Sequence, residues 1–318
     1  MVDISDTVSK IRKMVDAGKY FTINRARQYG KTTTLNALKR ELDGDYLVLN
    51  LSFEGITSAN FETEQDFVKA FCLLFKTNPK RYLEIPEEIR EQFENYLSRN
   101  DDKAQMNELF ITLGMWCGLS AKPIVMFIDE VDSASNNQVF MDFLAQLRNR
   151  YISRNMEDIP AFQSVILAGV TDIKHLKSRI RSEAEVKENS PWNIAANFTI
   201  DMSLSVGGIH GMLAEYETDH QTGMDMGAIA ARIREYTNGY PFLVSRICQI
   251  IDEEFVPGIF SSLSEAWTLN GVEEAVKALL TEKNTLFDSI MGKVRDYDKL
   301  RGAASSDIAS RGDNCLST

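Results

Sequence analysis

The sequence predicts an α/β fold in which a parallel sheet of five strands is covered by helices on both faces. Short apolar runs alternate with longer segments of helical periodicity over the first two thirds of the chain. The runs are almost continuously apolar, as is typical of strands that are buried on both sides. Connections between parallel strands place helices above and below the sheet, so this pattern favours a parallel arrangement.

The five predicted strands lie between the N-terminal region and residue 204. They are Tyr20–Ile23, Tyr46–Phe53, Ile124–Ile128, Ser164–Val170 and Asn197–Leu204. The last one alternates apolar and polar residues as FTIDMSL, which is the period of a strand. A helix over Thr32–Leu42 follows the first strand. We expect the polar residues after each strand to lie at one edge of the sheet.

Helical periodicity accounts for most of the remaining chain. Residues 54–120 are predicted to form a helical insertion, and residues after 205 a separate helical domain. Residues 291–318 lose apolar periodicity and are rich in Ser, Ala, Gly and Asp, so we expect a disordered tail. The predicted helices are Glu64–Phe75, Pro86–Leu97, Lys103–Leu119, Met226–Tyr236, Pro241–Phe255, Ser264–Asn270 and Val272–Lys283.

The composition excludes several classes of protein. Of the 318 residues, 44 % are hydrophobic and 25 % charged, which is typical of a soluble globular chain. The net charge of −11 opposes indiscriminate binding to nucleic acid. The 4 cysteines are too far apart in sequence to indicate a zinc site or a disulfide framework. The N-terminus is charged throughout, and no apolar run reaches the ~20 residues of a membrane span. We therefore expect a cytoplasmic protein.

The segment Ala26–Leu35, ARQYGKTTTL, carries the strongest functional signal. It follows a predicted strand and opens a predicted helix, where free N–H groups and the helix dipole bind phosphate. Lys31 would contact the β- and γ-phosphates, and the Thr32 hydroxyl would hold Mg²⁺. The other loop residues expected to contact the nucleotide are Gln28, Tyr29, Gly30 and Thr33. A chance GKT at a helix start is the alternative.

Arg25 makes this phosphate motif incomplete. The pattern GxxxxGKS/T has its first glycine five residues before Gly30, and this chain has Arg25 there. Glycine at that position allows unusual backbone angles and a close approach to phosphate. Arg25 loses this freedom and adds a positive charge, so we expect a differently shaped loop or a lower affinity.

A second motif, IVMFIDEVD at Ile124–Asp132, is a buried strand followed by two carboxylates. Ligands of open α/β sheets bind beyond the carboxyl ends of the strands, where these acids would lie. Asp129 would support Mg²⁺ through its water ligands, and Glu130 would polarise the attacking water as a general base. A solvated acidic turn after a core strand is the alternative. The two motifs in this order favour a nucleotide phosphate and Mg²⁺ site.

Five segments of the chain resemble the bacterial AAA-like ATPases of the P-loop superfamily. They are YFTINRARQYGKTTTL, FIDEVD, SVILAGVTDIKHL, SPWNIA and NGYPFLVSRIC, and the resemblance covers nearly residues 1–295. It implies a P-loop NTPase three-layer sandwich with a five-stranded sheet over residues 1–205, and a helical lid over 206–290. It also implies ATP as the ligand, with the two motifs above as Walker A and Walker B.

The resemblance also implies roles for residues outside these two motifs. Such ATPases sense the γ-phosphate with a polar residue after the fourth strand, and Thr171 or Asp172 stands at that position. The basic stretch from Lys174 to Lys187 would supply an arginine finger, or would be a solvated helical face. Arg246 would reach the phosphates from the lid, or would lie on the surface of an amphipathic helix.

The sequence thus predicts Mg²⁺-dependent ATP binding, with slow hydrolysis that switches the core and lid between two arrangements. The alternative is a non-hydrolysing nucleotide-binding scaffold, or a truncated member of the family that lacks its output domain. Ester hydrolysis is rejected because the GxSxG motif does not occur, and nuclease chemistry because Glu185–Lys187 lacks an acid on a preceding strand. The expected partners are a nucleotide, an unidentified protein and further copies of the chain. Nucleic acid is left open but is not supported by the charge, and no membrane is expected.

Overall fold

The structure, a computed structural model, describes residues 2–99, 105–134, 137–170 and 191–282. The chain divides into a first unit, Asp3–Met202, and a second unit that begins at Ser203. In the described ranges no helix is both long and apolar enough to cross a membrane. The predicted tail, residues 291–318, lies outside the described residues.

The first unit is built on a parallel sheet. Its strands are β1 (Phe21–Asn24), β2 (Leu47–Ser52), β3 (Ile124–Asp129) and β4 (Ser164–Gly169). They lie side by side in the order β1-β4-β3-β2, so β3 and β4 are central. In this register Phe127 lies opposite Ile166 of β4 and Asn50 of β2. Every residue of β3 and β4 is buried, because helices cover both faces of the sheet.

Helices connect the strands and form the second unit. Those of the first unit are α1 (Ser5–Asp16), α2 (Lys31–Leu42), α3 (Glu64–Lys76), α4 (Pro79–Leu83), α5 (Glu87–Ser98), α6 (Met106–Leu119) and α7 (Gln138–Glu157). Single 3-10 turns lie at Ser58–Phe61 and Val131–Ala134. The second unit contains α8 (Val206–His220), α9 (Met226–Thr237), α10 (Pro241–Gln249), α11 (Leu263–Ala266) and α12 (Leu269–Thr281), with a π-helical turn, Ile250–Glu254, directly after α10.

Two separate cores lie on the two faces of the sheet. On one face, Val8 and Ile11 of α1 and Leu35 and Leu38 of α2 pack against the strands. On the other face, α3, α5, α6 and α7 contribute an aromatic-rich core that includes Phe67, Phe71, Phe93, Trp116 and Phe143. The predicted α/β fold with a parallel sheet is therefore confirmed.

The predicted fifth strand, Asn197–Leu204, is wrong. The sheet has four strands among the described residues, and this part of the chain contributes one parallel bridge, between Phe21 and Ala196. The alternating pattern has another cause. Phe198, Ile200 and Met202 pack on the core beside β1 and α2. An extended segment can thus bury every second residue without forming a ladder of hydrogen bonds.

The second unit has its own helical core. Residues from its helices bury large apolar side chains against one another, including Ile209, Ile229, Ile247 and Trp267. Arg246 of α10 lies at the edge of this core, where its Nε donates to Glu282 Oε1 at 3.0 Å and its Nη2 donates to Glu254 Oε1 at 2.7 Å.

Candidate functional site

The loop between β1 and α2, residues 25–30, contains two left-handed residues. Gln28 has φ of 57° and Gly30 has φ of 78°. The Gly30 carbonyl accepts the first bond of the helix, from the Thr34 N–H at 2.9 Å, and no side chain caps α2. The N–H groups of residues 31–33 therefore have no partner within the helix. They point out of the positive end of the helix dipole, which favours an anion there.

Lys31 is buried, and the loop itself binds its ammonium group. Nζ donates to the carbonyl oxygens of Arg25 at 3.0 Å and Ala26 at 3.1 Å. Burial lowers the pKa of Lys31, whereas the carboxylates of residues 130, 132 and 129 act in the opposite direction. The ammonium thus lies near three acidic side chains, with two neutral carbonyls as partners that a phosphate could replace.

Thr32 and Asp129 bring the start of α2 to the end of β3. Thr32 Oγ1 donates to Asp129 Oδ2 at 2.6 Å, and the Glu130 N–H donates to Asp129 Oδ1 at 2.9 Å. Side chains alternate along a strand, and Phe127 packs on the face that α1 and α2 cover. Asp129 therefore points to the same face and meets α2. Hydroxyl and carboxylate oxygens are ligands that Mg²⁺ prefers, so this pair fits that ion.

Glu130 follows β3 with a left-handed backbone and an exposed side chain. Its φ is 55°. Desolvation raises the pKa of Glu130, the carboxylate of Asp129 acts in the same direction, and Lys31 acts in the opposite one. An accessible carboxylate whose pKa is raised is a better proton acceptor than an ordinary glutamate, which is what a general base requires.

Asp132 is a site residue to which the sequence assigned no role. Its Oδ2 accepts the N–H of Val170 at 2.6 Å and so ties the turn after β3 to the end of β4. Gly169 permits this contact, because a Cβ there would lie 2.9 Å from Asp132 Oδ2 and 2.9 Å from Val131 Cγ2. The signal available in the sequence was a third carboxylate three residues after Asp129.

Arg25 uses its charge on backbone oxygens. Its Nη1 donates to Asn24 O at 3.0 Å and its Nη2 to Ile200 O at 2.8 Å. Its Cζ lies 5.2 Å from the centre of the Phe198 ring. The side chain that replaces the first glycine of the phosphate motif therefore holds residues 198–200 in this structure.

The remaining predicted residues lie in three places. Gln28 and Thr33 are exposed in the loop and the first turn of α2, and Tyr29 packs beside the core under α2. Arg246 belongs to the second unit. Thr171, Asp172, the basic stretch from Lys174 to Lys187 and the tripeptide Glu185–Lys187 lie outside the described residues. The structure thus brings together Lys31, Thr32, Asp129 and Glu130.

Gly30→Ala is expected to destabilise the protein by about 1–2 kcal/mol, the cost of a left-handed backbone in a residue with a Cβ. A Cβ at residue 30 meets nothing within 4 Å, so backbone strain alone should act. Gly44 has equally open space and no positive φ. Gly44→Ala should therefore leave the free energy of unfolding unchanged or raise it by up to about 1 kcal/mol. Urea denaturation of both variants checks this, and equal losses would contradict it.

Comparison with known proteins identifies the family of the chain. A family model described as "AAA-like domain" matches residues 5–256. The chain belongs to the AAA-like domain family. This match spans both units, from α1 to the π-helical turn after α10. A search of curated proteins finds no match.

Solved structures similar to this AAA-like chain share little sequence with it. Drosophila ORC bound to GC-rich DNA and Cdc6 is 13 % identical, with 90 % of this chain and 42 % of that chain covered and a TM-score of 0.41. The Aeropyrum pernix ORC1 protein in complex with DNA is 12 % identical, with 94 % and 84 % covered and a TM-score of 0.38. The present chain spans less than half the length of the Drosophila chain.

Proposed function

We propose that this chain binds ATP together with Mg²⁺ at the loop after β1 and hydrolyses the nucleotide slowly. The contact between Thr32 and Asp129, at 2.6 Å, is the observation that carries the proposal. It brings a hydroxyl from the phosphate loop and a carboxylate from the neighbouring motif close enough to share one ion. The AAA-like family supports a nucleotide as the ligand.

The N–H groups at the start of α2 would receive the β-phosphate. Lys31 would exchange the carbonyls of Arg25 and Ala26 for phosphate oxygens, which gain more from a charged donor than neutral carbonyls do. Thr32 and Asp129 would hold Mg²⁺, which when bound neutralises phosphate charge. Among the described residues no group of three His, Cys, Asp or Glu side chains could hold a metal ion alone. The pair would therefore act together with phosphate oxygens.

Glu130 would polarise the attacking water. Its side chain is accessible to solvent, and its carboxylate neighbours raise its affinity for a proton. A water that donates a hydrogen bond to this carboxylate becomes more nucleophilic towards the γ-phosphate. We include Thr171 in the proposal as the residue that senses this phosphate.

The proposal includes a switch between a core, residues 1–205, and a helical lid, residues 206–290. Arg246 would contact the phosphates from the lid. Its guanidinium is now bonded to Glu282 and Glu254, so it would have to exchange carboxylates for phosphate oxygens. Such an exchange conserves charge pairing and could serve as the trigger of the switch.

A second candidate is a scaffold that binds nucleotide without turnover. Arg25 favours it, because a side chain fixed to Ile200 O makes the loop less able to adapt to a transition state than a glycine loop. For either candidate we propose the cytoplasm as the location, and a protein or another copy of this chain as the partner. The described cysteines, Cys72, Cys117 and Cys248, are free, which supports a reducing compartment.

Isothermal titration of ATP, ADP and GTP, each with and without Mg²⁺, tests the proposal. Mg²⁺ should strengthen ATP binding by the wild type. Thr32→Val should lose about tenfold of this gain, since one charge-assisted hydrogen bond contributes at least ~1.5 kcal/mol. Thr33→Val is the matched control, because Thr33 is one residue further along the same helix and should keep the Mg²⁺ effect. ATP binding that is the same with and without Mg²⁺ would reject the metal site, and no ATP binding would reject the proposed function.

A further inference from the structure

Arg25 is joined to three separate parts of the first unit. Its N–H donates to Gly169 O at 3.1 Å, at the end of β4. Its carbonyl accepts the Lys31 ammonium at 3.0 Å. Its guanidinium donates to Ile200 O at 2.8 Å and lies over the Phe198 ring. One residue thus connects the phosphate loop, the sheet and the segment 196–202.

The segment 196–202 lies beside β1 without a strand ladder. It begins with a bridge, in which the Ala196 N–H donates to Tyr20 O at 2.8 Å. The Phe198 ring then stacks on Phe21 of β1, with ring centres 5.8 Å apart and planes 7° apart. Beyond these contacts the Arg25 side chain takes over the hold on this segment, at Ile200. The residue after the segment, Ser203, is the first of the second unit.

The chemistry of arginine suits this position. Its planar guanidinium can donate to two carbonyls in different directions while its face stacks on an aromatic ring. Arg25 does all of this with Asn24 O, Ile200 O and Phe198. A lysine has one compact ammonium group and could not make the same set of contacts.

We propose that Arg25 is a positioning residue that couples phosphate binding at Lys31 to the hold on residues 196–202. The inference rests on the proposed function, since it takes the phosphate to be that of a bound nucleotide. When the ammonium of Lys31 turns to a phosphate, the Arg25 carbonyl loses its charged donor. The backbone of Arg25 is then released at this point, and its guanidinium shifts against Ile200 O and Phe198.

A double-mutant cycle combined with hydrogen exchange tests this coupling in the full chain. The variants are Arg25→Ala, Phe198→Leu and the two together, with folding checked by circular dichroism. In the wild type, ATP with Mg²⁺ should change amide exchange in residues 196–202 severalfold. Both single variants should lose this change and show faster exchange without nucleotide. Because both break one connection, the double variant should bind ATP as Arg25→Ala does, within about twofold.

Two further variants separate position from charge. Arg25→Lys keeps the charge but lacks the fork, so it should behave as Arg25→Ala does. Arg27→Ala removes a charge from the same loop and should keep the exchange response.

Direct contact of Arg25 with phosphate would give the opposite pattern. Arg25→Ala would lose more than tenfold in ATP affinity, Arg25→Lys would retain it, and Phe198→Leu would have no effect. That result would overturn the inference, as would an unchanged exchange response in Arg25→Ala that still binds ATP. A wild type that binds no ATP would instead reject the proposed function, and the coupling with it.

Discussion

Glu130→Gln is expected to lower the rate of phosphate release by about 10²- to 10⁴-fold, which is the usual contribution of a general base. The amide keeps the size of the side chain but cannot accept a proton. The Glu130 side chain is exposed and its N–H is bonded to Asp129 Oδ1, so the substitution leaves that backbone contact in place. ATP affinity should be kept or increase slightly, because a negative charge near the phosphates is removed. A steady-state phosphate-release assay beside a binding titration measures both quantities.

Glu54→Gln is the control for Glu130→Gln. Glu54 is an exposed carboxylate after the neighbouring strand, β2, and it is close enough to act on the pKa of Glu130. Its loss should leave phosphate release within about twofold of the wild type, since it would only alter the charge around the base. Equal release rates for the wild type and Glu130→Gln would end the claim of hydrolysis and favour the nucleotide-binding scaffold.

Lys31→Ala is expected to weaken ATP binding by about 10- to 150-fold. A charge-assisted hydrogen bond contributes ~1.5–3 kcal/mol, and each ~1.4 kcal/mol is a factor of ten in affinity. The ammonium is already at the loop, bonded to Arg25 O and Ala26 O, so no large movement is needed to reach a phosphate. Isothermal titration with ATP and Mg²⁺ gives the ratio of dissociation constants.

Lys39→Ala is the matched control for Lys31→Ala. Lys39 carries the same charge in the last turn of the same helix, two turns away from the loop. Its removal should change ATP affinity by less than about twofold, because an exposed charge at that distance is screened by salt. An equal loss of affinity in the two variants would show that overall charge and not the loop determines binding.

The four strands that were found could be predicted because each is a short, nearly continuous apolar run. The same reasoning failed for Asn197–Leu204, since alternate burial is common to a paired strand and to an extended segment packed on a core. Only the backbone partner distinguishes them, and that partner lies far away in sequence. A missed helix, α1, carried a readable signal, because Val8, Ile11 and Val15 are spaced for one buried face.

The boundaries of helices were predicted less well than their existence. The predicted helix Ser264–Asn270 is interrupted, because α11 ends at Ala266 and Thr268 caps α12 by accepting the Gly271 N–H at 3.3 Å. A threonine before an apolar run is a readable start signal. The predicted helix Pro241–Phe255 changes to a π-helical turn after Gln249.

The candidate site shows the same division between local and distant information. Lys31, Thr32, Asp129 and Glu130 stand in motifs that are contiguous in sequence, so their types and order could be predicted. The contact of Arg25 with Ile200 joins residues 175 positions apart, and the contact of Asp132 with Val170 joins residues 38 apart. Single-sequence patterns contain no information on such pairs.

The close approach of Gly169 to Asp132 affects how genetic variation in this chain should be interpreted. Position 169 carries no functional group, yet any side chain there would push the aspartate away from the strand end. Harmful alleles at this glycine would therefore arise from crowding. A map of intolerant positions would place it beside the lysine of the loop, although the two are intolerant for unrelated reasons.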